Sequence, residues 1–191
     1  MKKIITIVVC SLALILCSAS AFAQADTLKV DYFANANTAG APDGTVRLDD
    51  PGTNPSRTGN ICAAIFVFDP NQEMSECCSC LLTPDGLRTL SVNSDITGNP
   101  LTGVTLTTGV IKVVSTKPTI AGACPLPTTV VPVAAVRAWA THIQDSNFAV
   151  TETGSQDATL SATEIASLGR QCFSIKLVGS GKGVCSCGTG D

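Results

Sequence analysis

The sequence predicts an all-β protein: an antiparallel β-sandwich, Ig-like or jelly-roll-like, with one short helix and several disulfide bridges. Thr and Val are abundant, and apolar residues recur mostly at every second position, a period typical of strands. Turn-forming stretches such as DDPGTNP, TPDG and TGNP separate the periodic runs. The cysteines are numerous enough to form several disulfide bridges that link the sheets.

The first 23 residues have the organisation of a secretory signal peptide. Two lysines precede an apolar run, and small residues then lead to A-x-A sites that end at Ala23 or Ala25. The apolar run is shorter than the about 20 residues of a membrane-spanning helix. We therefore expect a signal peptide over 1–23, with cleavage after Ala23 or Ala25, and no integral membrane segment after cleavage. Residues 24–191 are expected to form a single secreted β-sandwich domain, placed extracellularly, at the cell surface or in the periplasm.

Charge and aromatic content argue against two classes of partner. The net charge is -3, and it moves to -5 when the two lysines of the signal peptide are removed. Nucleic acid is not expected as a partner, because no cluster of Lys and Arg is present to meet its phosphates. One Trp and one Tyr are too few for an aromatic carbohydrate platform.

Seven runs of residues predict strands, and one of them predicts a central strand. ICAAIFVF, from Ile61 to Phe68, is almost entirely apolar, as expected for a strand covered on both faces. The others are TLKVDYF, TVRL, LRTLSV, VTLTTGVIKVV, VPVAAVRAWATHI and FAVTET. We expect a sandwich of about seven to nine strands.

One stretch breaks the strand pattern and predicts the helix. In LSATEIASLGRQC, Ser161 is a candidate N-cap with Glu164 three residues later, and Gly169 is a candidate stop. The predicted helix runs from 162 to 168. CFSIKLV then returns to alternation, and GSGKG is expected to turn the chain into VCSC as a C-terminal hairpin.

The cysteines predict disulfides, because their number outside the signal peptide is even and exported compartments are oxidising. The close spacings C-C and C-x-C fit poorly to the paired ligands of a zinc site. Cys77 and Cys80 have the C-x-x-C spacing of a thiol oxidoreductase, but the intervening Cys78 and the β-rich context argue against that chemistry. The predicted bridging residues are Cys62, Cys77, Cys78, Cys80, Cys124, Cys172, Cys185 and Cys187.

Strand geometry suggests a pairing for four of these cysteines. Residues i and i+2 of a strand face the same side, so Cys185 and Cys187 project together, as do Cys78 and Cys80 if their segment is extended. We expect two neighbouring bridges between these two pairs. The other four cysteines would form the remaining two bridges.

No catalytic residue is assigned from the sequence. His142 is the one candidate imidazole base, and Asp145 lies too close along the chain to orient it from a strand. No GxSxG motif is present. We interpret His142 as a strand histidine beside Trp139.

Calcium is the one cofactor for which the sequence offers ligands. Asp69, Asn71 and Glu73 alternate in DPNQE and could supply hard oxygen ligands. The glycine and the final glutamate of an EF-hand loop are missing. Solvated turn residues are therefore the alternative interpretation.

Several blocks resemble a group of secreted, cysteine-rich bacterial proteins that has no assigned activity. They are TVRLDDPG, CAAIFVFDPNQEMSECCSC, PDGLRTLSVN, NPLTGV, AWATHI and the terminal GSGKGVCSCG. The resemblance covers most of the mature domain, and the CCxC block is its most specific part. It implies export and a shared cysteine framework, and it transfers no catalytic residue.

Three functional interpretations remain open at this point. We favour a non-catalytic extracellular structural or interaction protein that self-associates as a surface or filament subunit. A homo-oligomer could form by β-strand addition, with the N-terminal strand in 26–36 lent to a neighbouring copy. The alternatives are a secreted enzyme (a thiol oxidoreductase or a hydrolase) and a monomeric calcium- or ligand-binding module.

Overall fold

The structure is a computed structural model that describes residues 25–54 and 58–188, and the predicted signal peptide lies outside the described residues. The described part contains one α-helix, α1 (Ala162–Val178), and a π-helical turn over Val92–Ile96. The strands are β1 (Leu28–Phe33), β2 (Thr45–Asp49), β3 (Ile61–Phe68), β4 (Met74–Leu82), β5 (Leu87–Ser91), β6 (Gly109–Thr116), β7 (Arg137–Gln144), β8 (Ala149–Gly154) and β9 (Gln156–Asp157).

The strands form two antiparallel sheets. The five-stranded sheet has the order β4-β3-β6-β1-β9, and the four-stranded sheet has the order β5-β2-β7-β8. The predicted antiparallel all-β sandwich with disulfide staples is confirmed. In the part of the chain that the structure describes, no helix has the length and apolar character of a membrane span.

Two layers of apolar side chains hold these elements together. The larger core lies between the sheets and includes Leu48, Ile65 and Ile111. The second core lies between the five-stranded sheet and α1, and it includes Phe66 of β3 and Leu168 of the helix. Strand β3 is therefore covered on both faces, as its uninterrupted apolar run predicts.

Helix α1 is longer than the sequence prediction. Ser161 caps it as expected, since its Oγ accepts a hydrogen bond from the backbone N–H of Glu164 at 3.1 Å. The helix continues through CFSIKLV, for which the alternation predicts a strand, and ends at Val178. Leu168, Cys172 and Ile175 are buried at the spacing of one helix face. Burying that face against the sheet outweighs the local alternation of the sequence.

Gly169 does not stop the helix, and the predicted C-terminal hairpin is absent. A Cβ at this glycine would lie 2.7 Å from the backbone oxygen of Thr128, so the glycine permits close packing of α1 on a neighbouring segment. After the helix, Gly181 and Gly183 with positive φ turn the chain. Residues 183–188, which we call the C-terminal tail, then lie beside β4 rather than forming a hairpin.

A substitution at Gly169 tests this packing role. Replacing Gly by Ala in an open helix stabilises by about 1 kcal/mol, but Gly169→Ala should instead lower the free energy of unfolding by about 1–3 kcal/mol because of the contact with Thr128. Denaturant unfolding of the oxidised protein measures the change. Ser174→Ala, at an exposed position of the same helix, is the matched control and should change stability by less than about 0.5 kcal/mol. A stabilised Gly169→Ala variant would contradict the interpretation.

The eight cysteines outside the predicted signal peptide form four bridges. Cys78 pairs with Cys185 and Cys80 with Cys187, which are the two neighbouring bridges expected from the alternation. The remaining pairs are Cys62–Cys124 and Cys77–Cys172. The Cys77–Cys172 bridge ties α1 to β4, while the two neighbouring bridges tie the C-terminal tail to the same strand.

Candidate functional site

The C-terminal tail covers one side of the sandwich. Its backbone bonds to the outer edge of β4, where Cys77 N–H donates to the oxygen of Gly183 at 2.8 Å and Cys77 forms a parallel bridge with Val184. The tail also reaches β5 of the other sheet, because Arg88 donates from Nη1 to the Cys187 oxygen at 2.8 Å. We call this the covered side, since backbone contacts and two bridges occupy it.

The opposite side is closed by one extended segment that changes sheets. Residues 149–157, the crossing segment, first pair with β7 as β8 and then with β1 as β9. Every residue of β8 and β9 is exposed. This side therefore has a sheet edge with no element of the described chain paired along it.

The direction of the backbone groups along β8 follows from its register. Ser155 N–H donates to the oxygen of Ala138 at 2.9 Å, so these residues form a hydrogen-bonded pair of the ladder. Hydrogen-bonded pairs alternate along antiparallel strands. The N–H and C=O groups of Val150, Glu152 and Gly154 therefore point away from β7, along the outer edge.

The crossing segment is held to the sandwich by a partly buried polar cluster. His142 of β7 is buried and Asp31 of β1 is partly buried, with Nε2 and Oδ1 separated by 3.3 Å. Thr153 Oγ1 lies 2.9 Å from the same Nε2, and Ser155 Oγ donates to Asp31 Oδ2 at 2.6 Å. The Tyr32 ring stacks on His142 at 4.3 Å between centroids. The side chains of Thr153 and Ser155 thus bind to one residue of each sheet, His142 and Asp31.

An ion-pair network fixes the β9 end of the crossing segment. The buried Lys29 Nζ lies 2.8 Å from Asp157 Oδ1 and 2.7 Å from Asp26 Oδ1. Burial alone would lower the pKa of Lys29, but the hydrogen bonds to Asp157 and Asp26 outweigh it and raise the pKa. The hydrogen bond from Lys29 lowers the pKa of Asp157. Both groups stay charged at neutral pH, so the anchor is retained.

The geometry around His142 differs from that of a histidine-activated nucleophile. In such a site the hydroxyl and the carboxylate bind opposite nitrogens of the ring. Here Thr153 and Asp31 both approach Nε2, while Nδ1 is buried with no hydrogen-bond partner. Ser155 donates directly to the carboxylate. The cluster therefore connects strands and offers no path from a hydroxyl through the ring to a carboxylate. His142 and Trp139 both belong to β7, and the Trp139 ring lies near Gly154 of the crossing segment.

The calcium candidates lie on the turn between β3 and β4. Asp69 Oδ1 accepts hydrogen bonds from the backbone N–H groups of Asn71 at 2.9 Å and Glu73 at 2.8 Å, so one of its oxygens is occupied in shaping the turn. All three residues line a cavity of about 430 Å³ whose wall includes Met74 and Leu101. The cavity wall thus combines the oxygen atoms of the three calcium candidates with apolar side chains.

Glu76 of β4, which the sequence offers together with Asp69 and Glu73 as a carboxylate for acid/base work, is the most perturbed carboxyl of the described residues. It is fully buried. Oε1 accepts a hydrogen bond from Asn99 N–H at 3.0 Å, whereas Oε2 has no hydrogen-bond partner. Burial raises the pKa of Glu76 to about 7, and the bond from Asn99 only partly opposes this rise. No local signal in the sequence distinguishes it from the exposed Glu73.

The fold and these contacts define a class: a disulfide-stapled β-sandwich with one side covered by the C-terminal tail and an exposed edge strand, β8, on the other side. Comparison of the chain with protein-family models, with curated proteins and with solved structures finds no match.

Proposed function

We propose that this protein is a non-catalytic structural or interaction protein outside the cytoplasm, and that it binds a second copy of itself by pairing the exposed edges of β8. The exposed edge of β8 is the observation that carries this proposal. An unpaired strand edge is a template for another strand. The partly buried hydrogen bonds of His142 with Thr153 and of Asp31 with Ser155 hold this edge in place, so little conformational entropy is lost when a partner binds.

Nothing in the sequence of β8 opposes such pairing. Natural sheet edges are commonly protected by lysine, proline or a bulge, and the sequence AVTETG of β8 has no lysine or proline. Its one charge, on Glu152, forms a salt bridge with Arg47 of the same chain. Two β8 strands could therefore approach in antiparallel fashion about a two-fold axis, the commonest symmetry of homo-oligomers. The product would be a continuous eight-stranded sheet.

Strand addition through β8 replaces the donation of the N-terminal strand as the mode of association. Strand β1 pairs along its whole length with β6 of the same chain, and Leu28 and Phe33 are buried. Lending β1 to a neighbour would require these contacts to be broken first. Pairing through β8 leaves the sandwich intact.

The bridges support a location outside the cytoplasm. Disulfides form and persist in exported proteins, whereas cytosolic thiols are kept reduced. One bridge joins β3 to the loop between β6 and β7, and three bridges join β4 to α1 and the C-terminal tail. Such a framework suits a subunit that must remain folded without chaperones.

A proline substitution tests the edge. Val150→Pro removes an N–H that points away from β7, so it should convert the associated protein to a monomer while changing the melting temperature little. Sedimentation velocity of the mature oxidised protein measures the association. Val150→Thr keeps the N–H and should still associate.

A second variant shows that the effect depends on the direction of the N–H. Thr151→Pro removes an N–H that faces β7 and should destabilise the fold by about 3 kcal/mol. If the mature protein sediments as a monomer at its highest soluble concentration, self-association through β8 is wrong. Association that survives Val150→Pro would place the contact elsewhere.

A further inference from the structure

Two neighbouring disulfide bridges bring four sulfur atoms close together on the covered side. Cys78 and Cys80 come from β4, and Cys185 and Cys187 come from the C-terminal tail. The Sγ atoms of Cys78, Cys80 and Cys187 all lie within 4.8 Å of one another. The sulfur of Cys185 belongs to the same cluster, because it is bonded to that of Cys78.

We propose that these four cysteines form a tetrathiolate binding site for a zinc-type divalent ion when their two bridges are reduced. Zinc binds four cysteine sulfurs tetrahedrally at about 2.3 Å, which places the sulfurs about 3.8 Å apart. Three of the sulfurs here are within 4.8 Å of one another, and the fourth, of Cys185, is bonded to that of Cys78, so side-chain rotations after reduction can bring the four to that spacing. The C-x-C spacing of each pair differs from that of a zinc knuckle. The four ligands would instead come from two segments distant in sequence, with two cysteines from β4 and two from the C-terminal tail.

The backbone that positions these sulfurs does not depend on the bridges alone. Strand β4 is fixed by its ladder with β3, in which Cys78 pairs with Ile65 and Cys80 with Ala63. The tail is joined to β4 by the hydrogen bond between Cys77 and Gly183. The Cys77–Cys172 bridge lies on the opposite face of β4, in the core beneath α1. It is therefore not part of the four-sulfur cluster.

A positive side chain lies next to the cluster. Four thiolates with one divalent ion carry a net charge of -2, and a neighbouring cation stabilises such a site. The guanidinium of Arg88 donates to the Cys187 backbone oxygen at 2.8 Å. Among the described residues, no other group of three sulfur, imidazole or carboxylate ligands is gathered closely enough to hold an ion.

The bound ion and the bridges exclude each other, so redox state controls ion binding. Reduction of each bridge by a phosphine takes two electrons from the phosphine and two protons from water, and the phosphine becomes its oxide. Binding of the ion then releases the protons of the four thiols. When a disulfide-forming oxidant removes four electrons, the two bridges reform and the ion leaves. The same tail is thus a covalent clamp in oxidising surroundings and a metal ligand in reducing ones.

Cobalt titration of the phosphine-reduced mature protein without oxygen tests the site. We expect one Co²⁺ per chain, with the intense visible bands of a tetrahedral cobalt thiolate, and displacement of Co²⁺ by Zn²⁺. Cys80→Ala with Cys187→Ala should lose this spectrum. The matched pair variant, Cys62→Ala with Cys124→Ala, should retain it.

Alkylation mapping keeps the test decisive if the reduced chain loses its fold. With Zn²⁺ present, mass spectrometry should find Cys78, Cys80, Cys185 and Cys187 protected and the other four cysteines modified. A diazene oxidant should then release one Zn²⁺ for every two equivalents consumed. Protection of a different set of cysteines, or of none, would overturn the proposal, as would a cobalt spectrum that persists without Cys80 and Cys187.

Discussion

Removing the Cys62–Cys124 bridge is expected to lower the free energy of unfolding by about 4 kcal/mol, twice the cost of removing either bridge of the C-terminal tail. This order reverses the one that sequence separation suggests. Cys62–Cys124 spans 62 residues, whereas Cys78–Cys185 and Cys80–Cys187 each span 107. In the chain-entropy model the longer loop gives the larger stabilisation, but only if each bridge closes its loop independently.

The tail bridges do not close independent loops. When one is in place, the other closes only a ring of about six residues through β4 and the tail, worth about 2 kcal/mol. Cys77–Cys172 spans 95 residues, yet with a tail bridge present it closes a ring of about 15 residues, worth about 3 kcal/mol. No other bridge shortens the loop closed by Cys62–Cys124.

Denaturant unfolding of paired Cys→Ala variants measures these costs, with the remaining bridges verified by mass. Each pair variant loses two sulfur atoms, so the packing lost is similar from one variant to the next. The difference between their free energies of unfolding therefore reports the entropy of loop closure. Removing both tail bridges should cost about 5 kcal/mol in total. Tail bridges that each cost more than Cys62–Cys124 would show that the three linkages at β4 act independently.

The local sequence pattern is sufficient to predict an element where one period of apolar residues dominates. β3 was predictable because its apolar run has no polar interruption, and the tail bridges because Cys78/Cys80 and Cys185/Cys187 have strand spacing. Helix α1 was underestimated because Phe173, Ile175 and Leu177 alternate like a strand. Only the structure shows that Phe173 and Leu177 are exposed and that Ile175 is buried with Cys172 on one helix face.

The candidate site was less predictable, because its contacts join residues far apart in sequence. Asp31 and His142 belong to different sheets, and nothing near either residue indicates the other. The exposed edge of β8 depends on which strand ends the four-stranded sheet, which is a property of topology. Alternation predicts that FAVTET is a strand, but it does not distinguish an edge from a centre.

Glu76 gives the second large expected effect, a loss of stability as the pH rises from 5 to 8. Its folded-state pKa is about 7, against an ordinary value of 4.5. Between these values the folded protein retains a proton that the unfolded chain has lost. The free energy of unfolding therefore falls with rising pH across this interval and levels off above pH 7. The full contribution is about 3 kcal/mol.

Glu76→Gln should remove this pH dependence, because the amide is neutral throughout and its oxygen can still accept from Asn99 N–H. Urea unfolding at pH 5, 6, 7 and 8 should give similar stabilities for variant and parent at pH 5. At pH 8 the variant should be more stable by up to about 3 kcal/mol. Glu73→Gln, on the exposed turn three residues earlier, should keep the parental profile. Parallel pH profiles for Glu76→Gln and the parent would mean that the buried carboxyl is stabilised as an anion by contacts that its one hydrogen bond does not reveal.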